Sequence, residues 1–194
     1  MENLEFLKFS GELKKILEDS NTANINPDTV KPVVVKSINK GIVGQGKLIL
    51  TTYKNPKTKN LKYFHVIPPV ITLRVLGPYM TGLNLFYLPR KTREFCLEIM
   101  MSRMTNPSGD NFPKSLIDYD LIRRSTPRRA AFSPAVKNYA LDRSGYFGIE
   151  FHRDLWEEVF FGGIGDRLEG DFEGAGKEEV YEDSLKRILK ELTK

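Results

Sequence analysis

Gly41, Gly46 and Lys47 stand at the spacing of a phosphate-binding loop, in which backbone amides cradle phosphates and a lysine reaches the outer ones. The chemistry would be nucleotide binding or hydrolysis. Position 48, however, is Leu where that loop needs a hydroxyl for magnesium. The following LILTTYK reads as a strand, not as a helix whose N-terminus faces the phosphate. The glycines read instead as a tight turn into that strand. The two histidines, His65 and His152, lack Cys, Asp or Glu at metal-ligand spacing, and His65 sits among strand residues Phe64, Val66 and Ile67. Cys96 falls within an apolar helical pattern as a small core residue, and a single cysteine excludes an intramolecular disulfide framework. Asp118 and Asp120, two apart, turn away from each other on a helix. No carboxylate cluster of the kind a metal-dependent nuclease needs is present in the basic region. The reading is a non-enzymatic chain without metal or cofactor.

A different chemistry is written in the charges. Between Asp28 and Glu94 there is no acidic residue, and Thr29–Arg93 carries twelve lysines and arginines against a whole-chain charge of +5. Uncompensated positive charge points to a polyanion, nucleic acid first. Solubility of a β-rich segment and an acidic protein partner are the alternatives. The candidate phosphate contacts are Lys47, Lys54, Lys57, Lys59, Lys62, Arg74, Arg90, Lys91 and Arg93, with a second cluster at Arg123, Arg124, Arg128 and Arg129 in a loop around Pro127. Tyr53, Tyr63, Phe64, Phe86 and Tyr87 interleave with these cations; they are candidates for base stacking, though strand aromatics more often fill a core.

The elements that must position these residues begin with an amphipathic helix bearing Phe6, Phe9, Leu13, Ile16 and Leu17, and a polar linker through Asp28. Short runs at Val33–Val35, Leu48–Tyr53, Tyr63–Ile67, Val70–Leu76 and Leu83–Leu88 read as strands, with a hairpin loop over 55–60. A helix follows over Lys91–Met104, another over 113–124, then strands Val136–Leu141 and Tyr146–Phe151 around a turn, and a short helix capped by Asp154. Six glycines over 162–176 read as a flexible loop. The last helix, Glu178–Leu192, sets Tyr181, Leu185, Ile188, Leu189 and Leu192 on one face. The fold expectation is α+β: a small antiparallel β-barrel or curled sheet with peripheral helices and amphipathic helices at both termini. Its divisions are 1–28 (helix and linker), 29–162 (β-rich core), 163–176 (Gly-rich loop) and 177–194 (C-terminal helix). No apolar run approaches the ~20 residues that span a bilayer, so no membrane partner is expected.

Two stretches carry a family resemblance. One holds Gly46-Lys-Leu-Ile-Leu-Thr-Thr-Tyr-Lys-Asn-Pro-Lys-Thr-Lys59, Tyr63-Phe64, Pro68–Arg74 and Gly82-Leu-Asn-Leu-Phe-Tyr-Leu-Pro89 leading to Arg93; the other holds Val136-Lys-Asn-Tyr139 and Asp154-Leu-Trp156 through Phe161. Their order resembles the DNA end protector proteins of T4-like tailed bacteriophages, over roughly residues 41–162, the Gly-Leu-Asn…Tyr-Leu-Pro string being the most specific part. The chain departs from that pattern at Phe64–Pro68, which lacks an Asp, at Phe86 in place of a His, and at Gly162-Gly163 in place of Leu-Pro. The resemblance implies a virion protein, synthesised in the host cytoplasm and oligomeric in the particle. Its partners would be double-stranded phage DNA, at its end or in the head–tail channel, and other virion proteins gripped by the terminal helices. The alternative is a neck, tail or baseplate subunit that binds protein and not DNA.

Overall fold

The computed structural model describes residues 30–34, 46–54, 61–102 and 126–193. The expected N-terminal helix and linker, the 55–60 loop and the 113–124 helix lie outside them.

Eight strands and five α-helices are described. The strands are β1 (Val30–Val34), β2 (Leu48–Tyr53), β3 (Phe64–His65), β4 (Pro69–Leu76), β5 (Tyr79–Leu83), β6 (Val136–Ala140), β7 (Ser144–Phe151) and β8 (Phe172–Glu173). The helices are α1 (Arg90–Met101), α2 (Thr126–Phe132), α3 (Trp156–Phe161), α4 (Gly163–Leu168) and α5 (Lys177–Leu192). Six strands form one sheet in the order β1-β7-β2-β4-β5-β6, and β3 pairs with β8 in a second; every described pairing is antiparallel. The class is α+β.

The side chains of β2, β4 and β5 divide between two apolar layers, because successive side chains point to opposite faces. On one face Leu48, Leu50, Ile71, Leu73, Leu83, Ile149 and Phe151 meet Cys96, Leu97 and Met100 of α1, Trp156, Val159 and Phe160 of α3, and Ile164 and Leu168 of α4. On the other, Ile49, Tyr53, Val70, Met80 and Tyr139 pack with Phe64 and Leu141. The β4–β5 hairpin turns in two residues, with Gly77 at φ +55 supplying the left-handed first position.

The topology forces the sheet to bend. β6 and β7 stand four places apart, so a flat sheet would separate them by about 19 Å at ~4.8 Å per strand. Yet only Leu141–Arg143 joins them, and four residue steps reach about 14 Å at most. The join is tighter still: Arg143 N donates to Ala140 O at 3.1 Å, and Lys54 N donates to Arg143 O at 2.9 Å. Bending folds β6 back over the second apolar layer, where Tyr139 and Tyr53 meet edge-to-face at 5.2 Å. The order still has two ends, β1 and β6, so the described strands do not close into a barrel.

Five expectations need correction. The apolar run Leu83–Leu88 is not a strand: β5 ends at Leu83, and Leu85–Tyr87 is a 3-10 turn capped by the Asn84 side chain. The Gly-rich segment is ordered rather than loop-like, contributing α4 and β8, because Gly165 lets α4 pack on α3: a Cβ there would lie 2.8 Å from the Phe160 carbonyl carbon. Arg128 and Arg129 belong to helix α2, not a loop, with Pro127 in its first turn. β6 and β7 are joined by a turn but do not pair with each other. In the turn before α3, His152 rather than Asp154 is the cap, its side chain accepting from Asp154 N.

Candidate functional site

The basic run and the acidic C-terminal segment, far apart in sequence, meet in space. Lys47 at the start of β2 has its Nζ 2.5 Å from Glu150 Oε1 of β7, and both side chains are largely buried. The register makes this contact inevitable: Leu48 lies opposite Phe151 and Ile49 opposite Glu150. With its ammonium on a carboxylate, Lys47 is not the free lysine of a nucleotide loop. Lys62 lies 2.7 Å from Glu179 and 3.0 Å from Asp183 on the first turns of α5. The hydrogen bonds from Lys62 to Glu179 and Asp183 hold its ammonium well above the usual lysine range, and the same bond holds the Asp183 carboxyl below its own.

Arg93 is the most constrained cation. It is 2 % exposed, and its guanidinium donates to Phe160 O (3.0 Å), Leu88 O (3.3 Å), Glu169 Oε1 (2.9 Å) and Tyr181 Oη (2.9 Å). Its face lies 4.3 Å from the Phe86 ring centroid. Tyr181 in turn donates to Glu169 Oε1 at 2.8 Å, and Lys177 reaches Glu169 Oε2 at 3.4 Å. Burial would raise the Glu169 carboxyl; Tyr181, Arg93 and Lys177 outweigh it and hold the group below the ordinary range. This fork ties α1 to the ends of α3, α4 and α5 and is not offered to a partner. Arg90, at the surface, lies 3.4 Å from Glu94 and donates to Phe161 O at 3.3 Å.

A second buried network is built on His65. Leu168 O can only accept, so His65 Nε2–H donates to it at 2.9 Å, and Nδ1 accepts from Asn84 Nδ2 at 2.9 Å. Asn84 Oδ1 accepts from Phe86 N, and the imidazole stacks on Phe172 at 4.7 Å. Burial pulls its pKa from 6.5 to about 4, so it is neutral.

Three cations of the acid-free run, Lys54, Arg74 and Lys91, are exposed with no carboxylate partner among the described residues. In the second cluster, Arg128 is half-buried and Arg129 lies 3.8 Å from Glu191 of α5. Lys57, Lys59, Arg123 and Arg124 lie outside the described residues. The interleaved aromatics are mostly core: Tyr53, Phe64, Phe86 and Tyr87 are buried and Tyr63 is half-buried against Tyr87 and Phe172. The basic run therefore does not present a surface free of carboxylates at Lys47, Lys62, Arg90 and Arg93, because the fold brings acids from later in the chain to each of them.

Two features escape a reading of the sequence alone. Tyr79, 55 % exposed, faces Leu76 across the β4–β5 hairpin tip, with Arg74 two residues away on the same face. The signal for it is the Leu-Gly-Pro-Tyr turn, whose flanking residues have no strand beyond them to lie on. The other is Lys137 on the edge strand β6, whose Nζ stands 3.7 Å from the Tyr87 ring centroid. No protein family, curated protein or solved structure matches the chain.

Proposed function

We propose that the chain is a non-enzymatic structural protein of a tailed-phage particle, associated with the packaged DNA end or the head–tail channel, with the curled sheet as its scaffold. The observation that carries the DNA role is the division of the basic run: Lys54, Arg74 and Lys91 are exposed with no carboxylate partner among the described residues, while Lys47, Lys62, Arg90 and Arg93 are paired within the molecule. The family resemblance supports the same role, though its most specific string acts inside the molecule. Gly82, Asn84, Phe86 and Tyr87 are buried and Arg93 is the internal fork, so that string speaks for the fold, and the exposed cations must speak for DNA.

Binding of a duplex end, measured across a salt series, tests this. Removing one phosphate contact should flatten the log–log salt dependence by about 0.9, so the triple variant Lys54→Gln/Arg74→Gln/Lys91→Gln should flatten it by about 2.7. An unchanged slope in that variant sinks the DNA role.

A second reading, a neck, tail or baseplate subunit, is favoured by the hairpin tip. Leu76, Tyr79 and Arg74 combine an exposed aliphatic side chain with the two residue types enriched at protein interface hot spots. Tyr79→Ser with Leu76→Ser should then reduce incorporation into particles while leaving the thermal unfolding of the free chain unchanged, since both side chains are exposed. Incorporation at the wild-type level excludes this surface as the contact.

A further inference from the structure

The polar atoms around the His65 ring are committed to one direction of hydrogen bonding. Leu168 O, at the end of α4, accepts from Nε2–H, which leaves Nδ1 to accept from Asn84 Nδ2 at 2.9 Å. Asn84 cannot turn its amide over without loss, because its Oδ1 accepts from Phe86 N at 3.1 Å and so caps the Leu85–Tyr87 turn. The C-terminal segment rests on that turn. Tyr87 O accepts from Ser184 Oγ of α5 at 2.6 Å, and the Phe86 ring lies under the Arg93 guanidinium. On its other side the imidazole stacks on Phe172 of β8, and Val66 N donates to Asp171 O at 2.8 Å beside it. One buried ring thus joins β3 to β8, the end of α4 and the seat of α5. A proton on Nδ1 sets a donor against the Asn84 amide donor, and flipping that amide sets Nδ2 against Phe86 N–H instead.

We infer that His65 and Asn84 form an acid-operated latch between the large sheet and its C-terminal cover, in which a proton on Nδ1 releases the Phe86 cap and the β3–β8 joint together while the sheet stays paired. Burial opposes a charge on the ring most strongly, and the Arg93 guanidinium of α1 adds to it. The other titratable groups around the joint act differently. Tyr63 and Tyr87 are raised above the ordinary phenol range and stay neutral. Asp171, ahead of β8, is raised by burial, so its contribution to stability grows as pH falls. Glu169, after α4, is held below its ordinary 4.5, and its contribution is lost only as pH falls below that value. Between about pH 6.5 and about pH 5, His65 is therefore the one of these groups whose proton favours opening.

The test is amide hydrogen exchange of the full chain, resolved by NMR across that interval, with each rate divided by its intrinsic value. Opening at the Phe86 and Val66 amides should rise about 15-fold, by linkage between a ring that titrates near 4 in place and 6.5 when released. Thr72, whose N–H in β4 donates to Lys47 O, should change little. A flat response at Phe86 and Val66 overturns the inference, and so does an equal rise at Thr72, which means that the sheet unfolds with the cover. Asn84→Asp keeps one oxygen for the Phe86 cap and sets the other against Nδ1, so the protonated ring becomes the favoured one. In that variant the rise should vanish or reverse, and a rise of wild-type size overturns the inference. If the variant does not fold, the wild-type contrast between Phe86 and Thr72 decides by itself.

Discussion

Arg93 reads from the sequence as a surface cation because arginine beside exposed helix residues usually is one. Its burial cannot be seen without Glu169 and Tyr181, which come more than seventy residues later. Replacing it with Met leaves two carbonyls without their side-chain donor and Glu169 with only Tyr181 and Lys177, and should cost about 3–5 kcal/mol in urea unfolding. Arg93→Lys should recover little, since one ammonium cannot reach acceptors spread around a planar fork. His65 makes a pH-dependent contribution of opposite kind. Its folded pKa, about 4, lies below the ordinary 6.5, so the folded state favours the neutral ring. Its contribution is therefore complete above pH ~6.5 and is lost as pH falls toward 4, by up to about 3 kcal/mol at ~1.4 kcal/mol per pKa unit. His65→Gln should flatten the stability curve between about pH 4.5 and 6.5 relative to wild type. Parallel curves for the two proteins in that window would show that the ring does not titrate in this way.

Elements with a clear period are legible in the sequence. β2, β4 and α1 lie within a few residues of their expected bounds, since alternation and helical spacing are local properties. The 3-10 turn at Leu85–Tyr87 is not, because a short apolar run buried on all sides has no period to read. The glycines of 162–176 mislead for a related reason: composition cannot separate a glycine needed for flexibility from one needed for close approach. Gly82 is of the second kind. A Cβ there would collide with Val70 Cγ1 and stand 3.0 Å from Ile71 O. Gly82→Ala should destabilise by about 1–3 kcal/mol, and adding Val70→Ala should return part of that as a coupling of at least about 0.5 kcal/mol in a double-mutant cycle. Strict additivity would mean that the backbone carbonyl, not Val70, is the obstacle. Helix α5 shows the same limit on a larger element. Its apolar stripe is legible, but the residues buried in the fold are Val180 and Ser184, while Leu185, Leu189 and Leu192 remain exposed.

For the whole molecule, the sorting of charge along the chain is legible and its purpose is not. Lys47, Lys62 and Arg93 are answered by Glu150, Glu179, Asp183 and Glu169, so the segment after residue 144 is structurally part of the basic domain. The division at 162 drawn from composition therefore cuts through contacts that hold the sheet's helical cover in place. A chain ending at Gly176 loses Ser184 from Tyr87, Tyr181 from the Arg93 fork, and both carboxylates from Lys62. It should lose cooperative thermal unfolding. A transition as sharp as that of the full chain would show that α5 is an appendage after all.

Strand β7 lies between β1 and β2 and pairs with both, although Val30 and Phe151 are separated by most of the chain. On the ribosome, β1 and β2 would emerge long before β7 exists to join them. β2, β4 and β5 can pair as soon as residue 83 is made, but β1 has no described partner until β7 exists, and the carboxylate that meets Lys47 arrives with it. Pairings of such sequence separation place refolding in the millisecond-to-second range typical of β-rich domains, with the last-made third of the chain setting the pace.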